Sequence, residues 1–232
     1  MTPFQHRQIE LMRQMEKSLL LDSSTSQIVS IQSDYTSDNK LCLTTVSFMN
    51  PELADSIYTQ IIEPLKAIDP DQYYFPKSSL HVTIHNIRVV NKPLTYTNAD
   101  IDLALHILRS EIPTYRSPKF ALRELLSLPT SIAIIALIDP SYDQMVRSIR
   151  KHFADAGLAD DKKYFTDEKI FANVTICRYT KSPSKLFLET VQKNNEKTFG
   201  IFSPKETTLV TSNAGMHPSK TTIIESFAFR NI

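Results

Sequence analysis

The chain has 232 residues, of which 41% are hydrophobic and 22% are charged, and its formal net charge is +1. This composition is typical of a globular protein that buries a core, either as one large domain or as two small lobes. The small net charge argues against binding to duplex DNA or to an anionic membrane surface, but it leaves room for a local basic pocket.

The N-terminal segment predicts a helix. Residues 3–21 place Phe4, Leu11 and Met15 near one face, and several charged residues interrupt the segment, so it lacks the apolar core of a signal peptide. No stretch of the sequence approaches the length of a membrane-spanning helix. We therefore expect a cytoplasmic protein whose residues 1–22 form a helical extension packed on the main body.

The first half of the chain begins with a predicted strand at residues 41–48. A helix should follow, because Asn50 can cap its first turn and Pro51 occupies the first helical position, where a missing N–H costs nothing. An apolar stripe continues this helix to Ile68, and we expect Pro64 to bend it.

Two further elements complete the first half: a strand at residues 80–90 and a helix that we expect Asn98, at the start of Asn98-Ala99-Asp100, to cap. The second half then opens with predicted strands at residues 120–126 and 131–138. The latter is an uninterrupted apolar run, which indicates a central strand covered on both faces.

The remaining elements repeat the alternation of helices and strands. Asp139 and Pro140 begin a helix that Gly157 can end in a left-handed conformation. A strand at residues 170–179 follows, and then a helix that we expect Ser182 and Pro183 to cap. Two final predicted strands flank a loop at residues 213–220; they span residues 206–211 and 222–229.

Two short motifs indicate an internal duplication. His81-Val82-Thr83-Ile84 recurs as Asn173-Val174-Thr175-Ile176 at an offset of 92 positions (173 − 81), and Asn50-Pro51 recurs as Asp139-Pro140 at 89 (139 − 50). The agreement of the offsets favours duplication over coincidence. We expect an α+β protein with two pseudo-symmetric αβ lobes, each with an antiparallel sheet and helices, that enclose a central cleft.

The first motif carries groups suited to phosphate-ester or acyl-transfer chemistry. In a regular strand His81, Thr83 and His85 share one face, because side chains alternate with a period of two. An imidazole can exchange a proton near neutral pH, and a hydroxyl can hydrogen-bond an anionic oxygen.

The paired motifs resemble those of the two-histidine (2H) phosphoesterase superfamily, the 2′-5′ RNA ligase-like or cyclic phosphodiesterase group, which has His-x-Thr in each lobe. The resemblance covers residues 41–229, and Asn173 stands where the family has its second histidine. It implies a LigT-like fold with one bilobal domain over residues 23–232. The implied parts are lobe one at 27–117, lobe two at 118–200 and a closing hairpin at 201–232.

The resemblance also implies roles for the motif residues. His81 would carry a proton, and Thr83 and Thr175 would hold the phosphoryl oxygens, without a metal or cofactor. Asn173 can hydrogen-bond but has no proton to exchange near neutral pH. Loss of one partner of an acid–base pair costs on the order of 10²–10⁴ in rate, so we expect weakened activity unless another group replaces it.

Several residues are candidates for that role or for binding substrate. His85 could serve a substrate in a shifted position, although a polar rim or core histidine with a backbone partner is the favoured interpretation. His217 could fold over the cleft from its loop. Tyr73 and Tyr179 are better phosphate ligands or stacking platforms than bases. Arg178 could bind phosphate, but strand alternation predicts that it points away from Asn173.

Other signals are weaker. The aromatic run at 73–75 favours core packing over base stacking, and four lysines line the cleft or are solvated: Lys77, Lys162, Lys163 and Lys169. Cys42 and Cys177 lie in apolar segments without partners at metal-ligand spacing, which favours reduced, packed thiols, while one disulfide stays open.

Three functions are compatible with these patterns. The first is a monomeric phosphoesterase that acts on 2′,3′-cyclic phosphates or 2′-5′-linked nucleotides. The second is a catalytically inactive protein that binds a small phosphoester, a nucleotide or an RNA end. The third is an interaction module that works through its N-terminal helix.

Overall fold

The structure is a computed structural model that describes residues 1–21, 29–166 and 170–230. The expected boundary at residue 22 and Lys169 lie outside the described residues. The fold is α+β, with two antiparallel sheets and flanking helices, as predicted.

The helices and strands follow the predicted order. The helices are α1 (Pro3–Leu20), α2 (Pro51–Ile57), α3 (Glu63–Ile68), α4 (Asn98–Glu111), α5 (Pro140–Asp155) and α6 (Lys185–Lys193). The strands are β1 (Leu41–Phe48), β2 (Tyr73–Tyr74), β3 (His81–Asn91), β4 (Phe120–Leu128), β5 (Ser131–Leu137), β6 (Ala172–Arg178), β7 (Thr198–Phe202), β8 (Glu206–Ser212) and β9 (Thr222–Ala228). None of the helices in the described segments combines the length and apolar character that a membrane crossing requires.

Two helix starts differ from the prediction. Thr97, not Asn98, caps α4, because its hydroxyl accepts from the Asp100 backbone while the Asp100 carboxylate accepts from the Thr97 backbone. Ser184 caps α6, two residues later than Ser182. In both places a neighbouring residue makes the capping bond, which the local sequence does not distinguish.

Pro64 disturbs its helix as expected, but the chain absorbs the disturbance in a π-helical turn, Tyr58–Ile62, between α2 and α3. Proline has no N–H to donate to the carbonyl four residues earlier. That carbonyl, on Gln60, instead accepts a hydrogen bond from Lys197 Nζ at 2.9 Å.

One sheet has the order β3-β1-β8-β9, and the other has the order β2-β6-β5-β4-β7. The β8–β9 hairpin therefore completes the first sheet, and β7, which was not predicted, pairs with β4 at the edge of the second. The strands that carry the two motifs, β3 and β6, lie next to each other where the sheets meet.

Helix α1 covers one face of the second sheet. Met12 is only 2% exposed and belongs to a separate apolar cluster with Leu126, Ala133, Ile135 and Leu137. Gln8 Nε2 donates to the Ile138 carbonyl at 2.9 Å, and the Ile138 N–H donates to Gln8 Oε1 at 3.0 Å. Because α1 supplies this cover, every residue of β5 is buried, as its apolar run predicted.

Replacement of Met12 by alanine should lower the free energy of unfolding by about 2–4 kcal/mol, because it leaves a cavity between α1 and β5. Leu20→Ala is a matched control in the same helix. Leu20 is 56% exposed, so its variant should stay within about 0.5 kcal/mol of the wild type. Chemical denaturation measures both values, and equal losses in the two variants would contradict this packing of α1.

Candidate functional site

A cavity of about 570 Å³ lies between the two sheets, and the strands β3 and β6 form part of its wall. His81, Thr83, Asn173 and Thr175 all line it. The sequence motifs, 92 positions apart, therefore meet in one cleft, whose volume falls in the range of small-molecule sites, about 300–1,000 Å³.

Each motif strand contains a β-bulge directly after the motif. In β3 the pairing with β1 skips Ile84, and in β6 the pairing with β5 skips Ile176. A bulge interrupts the alternation of faces, so two consecutive side chains are buried in each strand. The next residue, Asn86 in β3 and Arg178 in β6, therefore faces the cavity. These two positions also differ by 92 (178 − 86).

Because of the bulges, the predicted orientations of Arg178 and His85 on their strands are wrong. Arg178 lines the cavity together with Asn173 and Thr175 and does not point away from them. His85 turns to the opposite side from His81, is 1% exposed, and packs on Phe153 with ring centroids 4.8 Å apart.

His85 is a neutral core histidine. Its Nδ1 lies 4.0 Å from Asp160 Oδ2, and within the described chain neither ring nitrogen has a hydrogen-bond partner. Burial, reinforced by the charge of Arg150, lowers the pKa of His85 to about 3. The interpretation favoured by the sequence included a core histidine, which agrees with this placement, but the backbone partner that it expected is not present among the described residues.

The hydrogen bond of His81 to the backbone determines which of its ring nitrogens carries the proton. Nδ1 lies 2.7 Å from the Ser79 carbonyl, which can only accept, so Nδ1 carries the proton. Nε2 is then left with a lone pair. Burial lowers the pKa of His81 to about 4; the Ser79 hydrogen bond opposes this shift and the charge of Arg178 adds to it. The imidazole is therefore neutral at pH 7.

The loop at residues 213–217 makes hydrogen bonds to both motif segments. Ser79 Oγ, just before β3, donates to the Met216 carbonyl at 2.7 Å, and Arg178 Nε donates to the Ala214 carbonyl at 2.6 Å. A Cβ on Gly215 would lie 2.9 Å from the Tyr73 ring, so the loop can pack this closely only with glycine. Local sequence patterns did not indicate this connecting role.

Three other candidates do not line the cavity. The Tyr73 hydroxyl donates to the Gly215 carbonyl at 2.9 Å, and Tyr179 is buried against Phe187. His217 Nδ1 lies 2.8 Å from Ser219 Oγ, where the histidine caps a short 3₁₀ turn. Burial raises the pKa of both tyrosines, so neither supplies a base.

Only some of the remaining candidate residues line the cavity. Lys162 and Lys163 line the cavity, whereas Lys77 pairs with Asp55 at 2.6 Å on the surface. In the aromatic run, only Phe75 reaches the cavity wall, and Tyr74 is buried, which agrees with core packing. The two cysteines are buried and free, so the disulfide alternative is wrong.

Asn173 lies beside Thr175, with Asn173 Nδ2 3.4 Å from Thr175 Oγ1. Its carboxamide can donate to and accept from a ligand, but it cannot exchange a proton near neutral pH. Within the segments that the structure describes, no group of three or more His, Cys, Asp or Glu side chains is arranged to hold a metal ion.

Helix α1 also contributes to the cavity through Met12, Met15 and Leu19. These side chains form an apolar end, together with Leu128 and Phe171, which pack in the same cluster as Met12. The helical extension is thus part of the cleft wall, and its apolar face is already occupied by the second sheet.

No family model and no curated protein matches the sequence. Solved structures do match the fold. A Thermus thermophilus protein, TT0787, aligns with a TM-score of 0.59 at 15% identity over 82% of this chain and 98% of its own. A crystal structure described as a phosphoesterase aligns at 0.55 and 12% identity, over 83% of this chain and all of its own.

E. coli LigT aligns in its complexes with ATP and with 3′-AMP. The TM-scores are 0.54 and 0.50, the identities 13% and 12%, and the alignments cover 83% and 84% of this chain and all of LigT. The chain therefore has the LigT-like, 2H phosphoesterase fold that the motif resemblance implied.

The low pKa of His81 predicts a pH dependence. The ordinary value is 6.5, so as the pH falls below it an unfolded chain takes up a proton that the folded protein accepts only near pH 4. The stability that the neutral ring contributes is present above about pH 6.5 and is lost as the pH falls through 4. NMR titration should show the His81 ring resonance changing near pH 4, with His81→Gln for assignment. A transition near pH 6.5 would contradict the buried environment.

Proposed function

We propose that this protein binds a nucleotide phosphoester in the cleft and hydrolyses 2′,3′-cyclic phosphates or 2′-5′ linkages without a metal, weakly, with His81 as the general base. The main support for the proposal is the hydrogen bond of His81 Nδ1 to Ser79, which leaves Nε2 free to accept a proton. His81 also lines the same cavity as Thr83, Thr175 and Arg178.

Each group has a defined task. The hydroxyls of Thr83 and Thr175 donate to the phosphoryl oxygens from two sides, and the guanidinium of Arg178 offsets their negative charge. An anion bound next to His81 favours the charged ring, so the ligand raises the pKa of this base towards the range in which it is effective.

The hydrolytic step consumes one water. Its oxygen attacks phosphorus while His81 Nε2 takes its proton, and the bond from phosphorus to the leaving ribose oxygen breaks. The leaving oxygen must then be protonated. Asn173 can hydrogen-bond this oxygen but has no proton to transfer, so solvent supplies it, and the step is slow.

The ligands of structural neighbours support a nucleotide as the bound molecule, because LigT was crystallised with ATP and with 3′-AMP. A phosphorylated RNA end carries the same chemical groups. We extend the proposal to a cytoplasmic monomer that acts on such small ligands.

A second candidate function is a catalytically inactive protein that binds the same nucleotides or RNA ends. Asn173 favours it, since the cleft keeps both threonines but only one proton carrier on its two motif strands. An interaction module that works through α1 is disfavoured, because the apolar face of α1 packs on β5 and lines the cleft.

Hydrolysis of adenosine 2′,3′-cyclic phosphate tests the proposal. We expect slow turnover by the wild type, a loss in kcat on the order of 10²-fold or more in His81→Ala, and a gain on the order of 10²–10⁴-fold in Asn173→His, which restores a general acid. His106→Ala is the matched control, because His106 is exposed on α4 and does not line the cavity.

The outcomes separate the candidate functions. Binding of the cyclic nucleotide without turnover, in the wild type and in Asn173→His alike, would leave the inactive binding protein. Absence of binding, with intact folding by circular dichroism, would contradict both functions.

A further inference from the structure

The cavity contains a second group of cationic side chains beyond the motif residues. Among the described residues that line it, five are basic and one, Asp38, is acidic. The basic residues are Lys40, Arg150, Lys162, Lys163 and Arg178. In a chain whose net charge is only +1, this is a marked local concentration of positive charge.

Arg150 is one of these lining cations. It projects from α5 over the Tyr164 ring, with 4.0 Å from its guanidinium carbon to the ring centroid. Its Nε lies 3.9 Å from Asp160 Oδ2, and within the described chain this buried nitrogen makes no hydrogen bond. The side chain as a whole keeps 23% of its surface accessible and lines the cavity, so an anionic ligand in the cavity can contact this cation.

Lys162 lies beside Arg150 on a loop that is fixed to β3. Arg88 Nη1 donates to the Ala159 carbonyl at 2.7 Å, and the Val89 N–H donates to Asp161 Oδ1 at 2.8 Å. Lys162 Nζ is 5.4 Å from the Tyr164 ring centroid. Burial lowers the pKa of Lys162 to about 8, and the charges of Arg150 and Arg178 add to this effect.

Arg150 and Lys162 have different neighbours from His81. Both cations lie over the Tyr164 ring, whereas His81 packs against Phe48 and Phe75. Arg178 lines the same cavity, and its charge lowers the pKa of both His81 and Lys162. The cleft thus has cationic side chains beyond those beside His81.

We propose that Arg150 and Lys162 form a second anion subsite that binds an additional phosphate group of the nucleotide whose phosphoester lies at His81. The subsite favours ligands with two separated phosphates, such as a nucleoside bisphosphate or a short oligonucleotide end. It rests on the proposed function, because it assigns the ligand class of the same cleft.

Two matched nucleotides test the subsite. Isothermal titration calorimetry at low salt compares 3′-AMP with adenosine 3′,5′-bisphosphate, which differs by one phosphate. We expect the wild type to bind the bisphosphate about tenfold more tightly, since charge-assisted hydrogen bonds form only with the second phosphate.

The variants assign this preference to residues. Arg150→Gln and Lys162→Gln should each remove most of the tenfold preference while changing the affinity for 3′-AMP less than about twofold. Lys162→Arg should keep the preference. Lys185→Gln is the control, because Lys185 is exposed on α6 and does not line the cavity. Lys162 lies in a loop, so its variants provide the test even if Arg150→Gln is destabilised.

A proton-linked readout identifies Lys162 as the group that meets the anion. At pH 8 about half of the lysine is charged, and an anion raises its pKa, so binding should be accompanied by uptake of at most ~0.5 proton. Titrations in buffers of different ionisation enthalpy measure this uptake, which should disappear in Lys162→Arg.

Equal affinities of the wild type for the two nucleotides would overturn the subsite while leaving the proposed function intact. A preference for the bisphosphate that persists in both Arg150→Gln and Lys162→Gln would do the same. Failure of the wild type to bind either nucleotide would contradict the proposed function and the subsite together.

Discussion

Two β-bulges, one after each motif, determine which side chains face the cleft. Without them, β3 and β6 would continue the alternation that places His85 beside His81 and turns Arg178 away. With them, Ile84 and His85 enter the core, as do Ile176 and Cys177 at the same offset of 92 positions. The bulges therefore give the two motif strands the same order of buried and partly exposed side chains.

The cleft is cationic in a chain that is nearly neutral overall. Its positive side chains are partly enclosed by protein, and the enclosure lowers the pKa of His81, Lys162 and Arg178 alike. An anionic ligand would reverse part of this cost by pairing with the enclosed charges. The same environment therefore explains a neutral imidazole in the unliganded protein and is consistent with the phosphate ligand that we propose.

The order of the elements could be predicted from the sequence, because apolar periodicity persists over long stretches. The repeated offset also predicted that the two motifs meet in one cleft, with His81, Thr83, Asn173 and Thr175 in its wall. The faces of His85 and Arg178 could not, since a bulge depends on pairing with the neighbouring strand. Asn86 lies 92 positions before Arg178, so the repeat pairs these two residues, both of which line the cavity. Arg150 reaches the cleft only through the packing of α5, which no local pattern reports.

A crystal structure of the wild-type protein with 3′-AMP would show whether both motif strands hold one phosphate, as we propose. We expect phosphate oxygens about 3 Å from the hydroxyls of Thr83 and Thr175, with the Arg178 guanidinium alongside. A nucleotide whose phosphate contacts only one of the two strands, or lies outside the cleft, would contradict it.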